Sequence, residues 1–153
     1  MIRVHGDVVT VNTHKELEKE KAVHDVLVVY FGETMIKQYT KIFYIIAKRF
    51  DKAFFLKVDE GSELEAYYGM HKKPAVLMLR RFEDSQEDHS VIRYEKGWDA
   101  KSLERWIVQK TLPDVFEFDQ KHSFHVFVYK HPAVFLFRDP MNETHQELTD
   151  KFY

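Results

Sequence analysis

Cysteine is missing from this 153-residue sequence altogether. The chain therefore has no disulfide, no thiolate nucleophile and no cysteine-ligated metal site. Thiol–disulfide exchange by the chain itself is chemically excluded, because that reaction begins with attack by a thiolate. The missing cysteines do not indicate a compartment, since cysteine-free domains occur in both reducing and oxidising environments.

Long apolar runs and a strong net charge are missing as well. No stretch of about 18 apolar residues occurs, so the sequence predicts no membrane-spanning segment. The net charge of −2 gives no electrostatic argument for a nucleic-acid partner. No secretory signal is visible at Met1.

The composition that is present is typical of a globular protein. Apolar residues make up 44% of the chain and charged residues 31%, which argues against disorder. Aromatic residues reach 15%, with 13 Phe and 8 Tyr. This abundance favours a strand-rich core, because aromatic side chains suit pleated, half-buried surfaces.

The order of apolar segments predicts an α/β fold. Strands are expected at "VHGDVVTV", "VLVVYF", "AFFLKVD", "AVLMLRRF" and "SVIRYE". Helices lie between the first four strands, which implies parallel neighbours linked by crossovers, whereas the last two strands are joined by a short loop and must be antiparallel. The prediction is a mixed central sheet flanked by helices on both faces.

The helix boundaries carry local signals. Thr13 with Glu16, and Ser62 with Glu65, have the spacing of capping boxes, and Asp99 is placed to cap the last helix of the predicted domain. In the helix after "VLVVYF", apolar residues share one stripe: Met35, Tyr39, Ile42, Phe43, Ile46 and Phe50. In the last helix, three residues are predicted to face the core: Leu103, Trp106 and Ile107.

This element order, together with "YGMHKKPAVLML", resembles the thioredoxin fold. In that family a proline in the cis form faces the redox turn, and Pro74 matches its position. The segments "VDEGSELEAYYG", "VLMLRRFED" and "LPDVFEF" are more similar to the first non-catalytic (b) domain of protein disulfide isomerase. The resemblance implies an endoplasmic reticulum lumen location, neighbouring thioredoxin domains in the same chain, and unfolded protein clients.

The resemblance also locates the positions of the redox motif. Aligning Lys37 with the lysine that follows the family's CxxC motif places Glu33, Thr34, Met35 and Ile36 at the four motif positions. No catalytic residue is predicted there. Glu33 as a general base is one interpretation, but a carboxylate that begins a helix, near the positive end of its dipole, is favoured.

The C-terminal part of the chain resembles the start of the second non-catalytic (b′) domain. The predicted domains are residues 1–112, a redox-inactive thioredoxin-like domain, and residues 113–153, a truncated second one. Strands are expected at "DVFEF" and "AVFLF", and a helix at "ETHQELTDKFY". Seven aromatic residues in this part form either a client-binding surface or, as the sequence favours, a domain core: Phe116, Phe118, Phe124, Phe127, Tyr129, Phe135 and Phe137.

Two polar patterns in this part of the sequence resemble functional sites. His122, His125 and His131 lack the spacing and the carboxylate partner of a metal site, so neither metal nor cofactor is predicted. Asn142-Glu143-Thr144 matches the N-glycosylation sequon, which makes Asn142 a candidate acceptor in a lumenal protein.

The leading hypothesis is a non-catalytic region of a protein disulfide isomerase-like protein. A redox-inactive chaperone or scaffold of the endoplasmic reticulum is the alternative. A glutathione-transferase-like protein also begins with a thioredoxin-like domain, but that family has an acidic–serine pair after its proline, where this chain has Ala75 and Val76. The strands predicted after residue 113 also disagree with its all-helical second domain.

Overall fold

The structure is a computed structural model, which describes residues 8–32, 37–82, 88–113, 115–128, 130, 132–139 and 141–152. The strands are β1 (Val9–Thr10), β2 (Val26–Phe31), β3 (Phe54–Val58), β4 (Ala75–Arg80) and β5 (Ser90–Arg93). The helices are α1 (His14–Val23), α2 (Lys37–Arg49), α3 (Glu63–Tyr67), α4 (Ala100–Lys110), α5 (Gln120–Phe127) and α6 (Glu143–Phe152). The element order predicted for residues 1–112 is confirmed.

The five strands form one mixed sheet in the order β1-β3-β2-β4-β5. β3 pairs in parallel with both β1 and β2, whereas β4 is antiparallel to β2 and to β5. Every residue of β2 is buried, as expected of a central strand covered on both faces. The predicted α/β fold with a mixed sheet is therefore confirmed.

The core has two layers because successive side chains of a strand point to opposite faces of the sheet. Val28 and Tyr30 of β2 pack on one side with buried residues of α2 and α4. Leu27 and Val29 pack on the other side with Leu17 of α1 and the buried leucine of α3. The predicted core residues of α4 are buried on the first side: Leu103, Trp106 and Ile107.

The helix starts agree with the sequence at two positions and differ at a third. The Thr13–Glu16 capping box is complete, and the Asp99 side chain accepts a hydrogen bond from the Ser102 amide. Ser62 also accepts from the Glu65 amide, but the Glu65 carboxylate binds the Gly61 N–H at 2.6 Å rather than the Ser62 N–H. The second capping box is thus only half formed, because the Ser62 amide already donates to the Asp59 carbonyl at 3.3 Å.

The chain divides into two compact units, residues 1–112 and 113–153. In the described part of the second unit, residues 115–119 and 132–139 form no strand, and the regular elements are α5 and α6. The strands predicted at "DVFEF" and "AVFLF" are therefore wrong in the residues described, whereas the helix predicted near residue 143 is present. A single strand leaves its backbone groups unpaired, so an apolar run without a partner strand does not form a sheet.

Among the described residues, no helix is both long enough and apolar enough to cross a membrane.

Candidate functional site

The candidate site lies at the edge of the sheet where β2 and β3 end and β4 begins. Phe31, the last residue of β2, pairs with Val58 of β3 and with Ala75 of β4. This register brings the chain leaving β2 beside the chain entering β4. Pro74 precedes β4 immediately, and the Lys73–Pro74 peptide bond is cis. The positions that match the redox motif, residues 33–36, lie outside the described residues.

Gly32 is required by the ring that packs against it. A Cβ atom at this position would overlap the aromatic ring and hydroxyl of Tyr30. Tyr30 is fully buried, stacks on Phe43 with 5.0 Å between ring centroids, and its hydroxyl lies 3.2 Å from the Thr40 hydroxyl. The contacts of Tyr30 with Thr40 and Phe43 connect the end of β2 to the first turns of α2.

A cavity of about 330 Å³ opens beside Gly32. Its lining comes from the start of α2, the end of β3 and the residues that follow: Gly32, Lys37, Thr40, Lys41, Tyr44, Lys57, Asp59 and Glu60. Lys57 pairs with Asp59 at 3.0 Å, so part of the cationic charge is compensated. The lining offers ammonium and hydroxyl groups that donate hydrogen bonds, and it contains no thiol.

Asp59 links the site to the first strand. Its carboxylate accepts a hydrogen bond from Asn12 Nδ2 at 2.9 Å, and its backbone N–H donates to Asn12 Oδ1 at 2.9 Å. The hydrogen bond from Asn12, followed by the bond from Lys57, lowers the pKa of Asp59 below its ordinary value. The carboxylate therefore stays ionised to a lower pH than an ordinary aspartate, which makes it a weaker proton acceptor.

Lys73, the residue before Pro74, is held by two carboxylates. Its Nζ lies 3.1 Å from Glu60 and also pairs with Glu65. The bond to Glu65 raises the pKa of Lys73. Burial alone would raise the pKa of Glu65, but the bonds from Lys73 and from the Gly61 N–H lower it overall. The ion pairs hold the loop that leads into β4 against the start of α3.

A family model described as a thioredoxin-like domain matches residues 33–152 of this chain. The chain belongs to this thioredoxin-like family. The match covers most of the sequence and runs across the division between the two units. No match is found among curated protein sequences.

Several solved structures with the thioredoxin fold are similar in structure to this thioredoxin-like chain, although their sequence identity to it is low. A mutant thioredoxin of Halobacterium salinarum aligns with a TM-score of 0.58 and 18% identity, over 74% of this chain and 98% of that one. The first thioredoxin domain of mouse protein disulfide-isomerase A4 aligns with a TM-score of 0.58 and 16% identity, over 78% of this chain and 85% of that domain. The J-Trx1 fragment of ERdj5 aligns with a TM-score of 0.55 and 15% identity, over 68% of this chain and 51% of the fragment. The chain thus spans about half of the ERdj5 fragment, and at these identities the likeness shows the fold alone.

The remaining predicted site residues lie in the second unit of the thioredoxin-like chain. Among the described residues, no group of three or more His, Asp or Glu side chains could hold a metal ion. His131 and the side chains of His122 and His125 lie outside that description, so the prediction for them stays a prediction. Asn142 is exposed immediately before α6.

The lysine-lined cavity was not predicted from the sequence of this thioredoxin-like chain. Its signal was the four-residue spacing of Lys37 and Lys41, combined with Lys57 near the end of the neighbouring parallel strand. Of the two interpretations of the aromatic residues in the second unit, the structure shows an exposed aromatic cluster, formed by Phe118, Phe127, Phe135 and Phe137. Phe118 lies 5.0 Å from Phe135 and 6.0 Å from Phe127, and Phe135 lies 6.2 Å from Phe137 between ring centroids.

The aromatic cluster corrects the interpretation favoured by the sequence. Phe127 is 68% exposed and Phe137 is 89% exposed, so these side chains are not a closed core. Two short helices and an irregular segment provide no sheet face to cover them. Contiguous exposed apolar groups of this kind mark interaction surfaces.

Proposed function

We propose that this thioredoxin-like chain is a non-catalytic region of a protein disulfide isomerase-like protein, which orients catalytic domains and helps to bind unfolded clients. The absence of cysteine supports the absence of catalysis, because the chain has no thiolate to attack a disulfide or to leave from one. The family match and the neighbours from ERdj5 and protein disulfide-isomerase A4 are consistent with such a parent protein.

The exposed aromatic cluster is the surface that we assign to client binding. Each ring lies within 6.2 Å of at least one other ring of the cluster, with edge-to-face contacts between Phe118 and both Phe127 and Phe135. Unfolded polypeptides expose apolar and aromatic side chains, which gain by leaving water against such a surface. The occupant we propose is therefore an unfolded segment rather than a folded partner, which would present few exposed aromatic groups.

An insulin-reduction assay tests the non-catalytic part of the proposal. The chain is expected not to accelerate the precipitation of insulin by dithiothreitol above background, whereas an active thioredoxin at the same concentration accelerates it. Acceleration by the cysteine-free chain would contradict the proposal, because no residue of the chain can supply the thiolate.

A redox-inactive chaperone or scaffold of the endoplasmic reticulum is the second candidate. The aromatic cluster suits both candidates, since both bind without exchange. The reading frame on either side of this segment separates them: flanking CxxC domains support the isomerase-like parent, and their absence throughout supports the scaffold. A glutathione-transferase-like protein is less well supported, because Ala75 and Val76 follow Pro74 where that family has an acidic–serine pair. The strands predicted after residue 113 no longer argue against it, because the regular elements described there are the helices α5 and α6.

A further inference from the structure

The start of α6 presents the sequon Asn142-Glu143-Thr144 on the surface. Asn142 and Thr144 are exposed, and the neighbouring Met141 is 89% exposed. Asn142 Oδ1 accepts hydrogen bonds from the Thr144 amide at 3.1 Å and from the Thr144 hydroxyl at 2.7 Å. The Asn142 side chain therefore caps the helix through its oxygen, and the sequon threonine is its partner.

We propose that Asn142 is an N-glycosylation site of this protein, an inference that rests on the lumenal location implied by the proposed function. The co-reactant is a lipid diphosphate-linked oligosaccharide. Asn142 Nδ2 forms a bond to the anomeric carbon of the sugar, the bond between that carbon and the diphosphate oxygen breaks, and Nδ2 loses one proton. The lipid diphosphate is the leaving group, and no oxidation or reduction occurs.

The cap geometry makes the modification compatible with the folded chain. The two hydrogen bonds from Thr144 to the Asn142 side chain use Oδ1, whereas the sugar is joined to Nδ2. A glycosylated Asn142 keeps its amide oxygen, so the bonds to Thr144 can remain. The backbone N–H of Asn142 donates to the Asp139 carbonyl at 3.1 Å, which stabilises the turn without involving the Asn142 side chain.

The other asparagine of the chain provides an internal contrast. Asn12 is followed by Thr13 and His14, so it lacks a hydroxyl residue at the third position of the sequon. Its Nδ2 also donates to the Asp59 carboxylate at 2.9 Å, between the residues that follow β1 and β3. Asn142 is accordingly the one sequon asparagine of the sequence.

The experiment expresses the full chain in eukaryotic cells behind an added secretory signal, with delivery to the lumen verified by protease protection. Peptide N-glycosidase converts a glycosylated asparagine to aspartate, so peptide mass spectrometry reads the modification as a peptide with aspartate at position 142 that appears only after enzyme treatment. The Asn142→Asp peptide is expected to have the same mass before and after treatment. Three variants complete the set: Asn142→Asp keeps an oxygen for the cap but has no acceptor nitrogen, Thr144→Val removes the hydroxyl, and Thr144→Ser keeps it.

The expected result is one glycan on the wild-type chain and on Thr144→Ser, with complete loss in Asn142→Asp and Thr144→Val. A wild-type chain that reaches the lumen without a glycan overturns the site, whatever the fate of the proposed function. The same peptide from the natural source separates the two proposals. A chain that is glycosylated only behind the added signal supports the acceptor site and contradicts the lumenal location.

Discussion

Asn12 connects the segments that follow β1 and β3, at the edge of the sheet where the candidate site lies, because its side-chain carbonyl and amide both bind Asp59. Asn12→Ala is expected to lower the free energy of unfolding by about 1 to 2 kcal/mol, because a net hydrogen bond contributes about 0.5–1.5 kcal/mol. Urea denaturation followed by circular dichroism measures the change. Lys15→Ala, on the exposed face of α1, is the control and is expected to stay within about 0.5 kcal/mol of wild type.

The same contact gives Asp59 a role in acid stability. Asn12 and Lys57 lower its pKa in the folded chain, so the unfolded chain takes up a proton at a higher pH than the folded chain does. The stabilisation is therefore present above the ordinary aspartate pKa of about 3.9 and is lost as pH falls through the lower folded pKa.

Asp59→Asn is expected to reduce the loss of folding stability at acid pH. Urea midpoints measured at pH 6 and at pH 3 should differ less in the variant than in wild type, because the titrating group is gone. An equal loss in both proteins would contradict the role of Asp59 and would leave the other carboxylates with lowered pKa values, such as Glu63 and Asp99, to explain it.

The connection from β2 to α2 depends on the absence of a side chain at Gly32. Gly32→Ala is expected to lower the free energy of unfolding by about 1 to 3 kcal/mol, the usual cost of overpacking, because the new methyl group would displace the buried Tyr30 ring. Gly97→Ala is the matched control, since nothing lies within 4 Å of its added Cβ. Equal stability of the two variants, measured by urea denaturation, would contradict the packing role of Tyr30 and Gly32.

The elements of the first unit were predictable because their local signals agree with their tertiary surroundings. "VLVVYF" is apolar throughout and becomes the central strand, and the apolar stripe of α2 buries Phe43 and Ile46 against it. Asp99 caps α4 as its position indicates. Where pattern and packing point to the same element, sequence alone is informative.

The second unit shows where this agreement ends. "DVFEF" and "AVFLF" have strand-like composition, but the described residues give them no partner strand, and the rings of Phe118 and Phe135 remain partly exposed. Strand formation depends on pairing with residues elsewhere, which a local pattern does not encode. The lysine-lined cavity was not predicted for a related reason. Lys57 lines the same cavity as Lys37 and Lys41 only because β3 pairs with β2.

The whole molecule combines a five-stranded mixed sheet in the first unit, a sequence without cysteine, and a second unit with exposed aromatic side chains. Without cysteine the chain cannot itself carry out thiol–disulfide exchange. The aromatic cluster offers apolar area to a partner. We therefore propose that the chain binds unfolded clients without catalysing disulfide exchange.

Client binding is the measurement that tests this account most directly. The chain is titrated, by fluorescence anisotropy, into a labelled protein that has been reduced and carboxymethylated, so that the client is unfolded and its cysteines are blocked. The native form of the same protein is the reference client. The variant Phe127→Ser/Phe137→Ser removes the two most exposed rings of the cluster, and Val23→Ser, which is 74% exposed in the first unit, is the matched control.

The account predicts that the wild-type chain and Val23→Ser bind the unfolded client and not the native one. Phe127→Ser/Phe137→Ser is expected to bind it at least about tenfold more weakly, since burying a large apolar side chain contributes about 1.5–3 kcal/mol. No binding by the wild-type chain, or binding that the double substitution leaves unchanged, would contradict it.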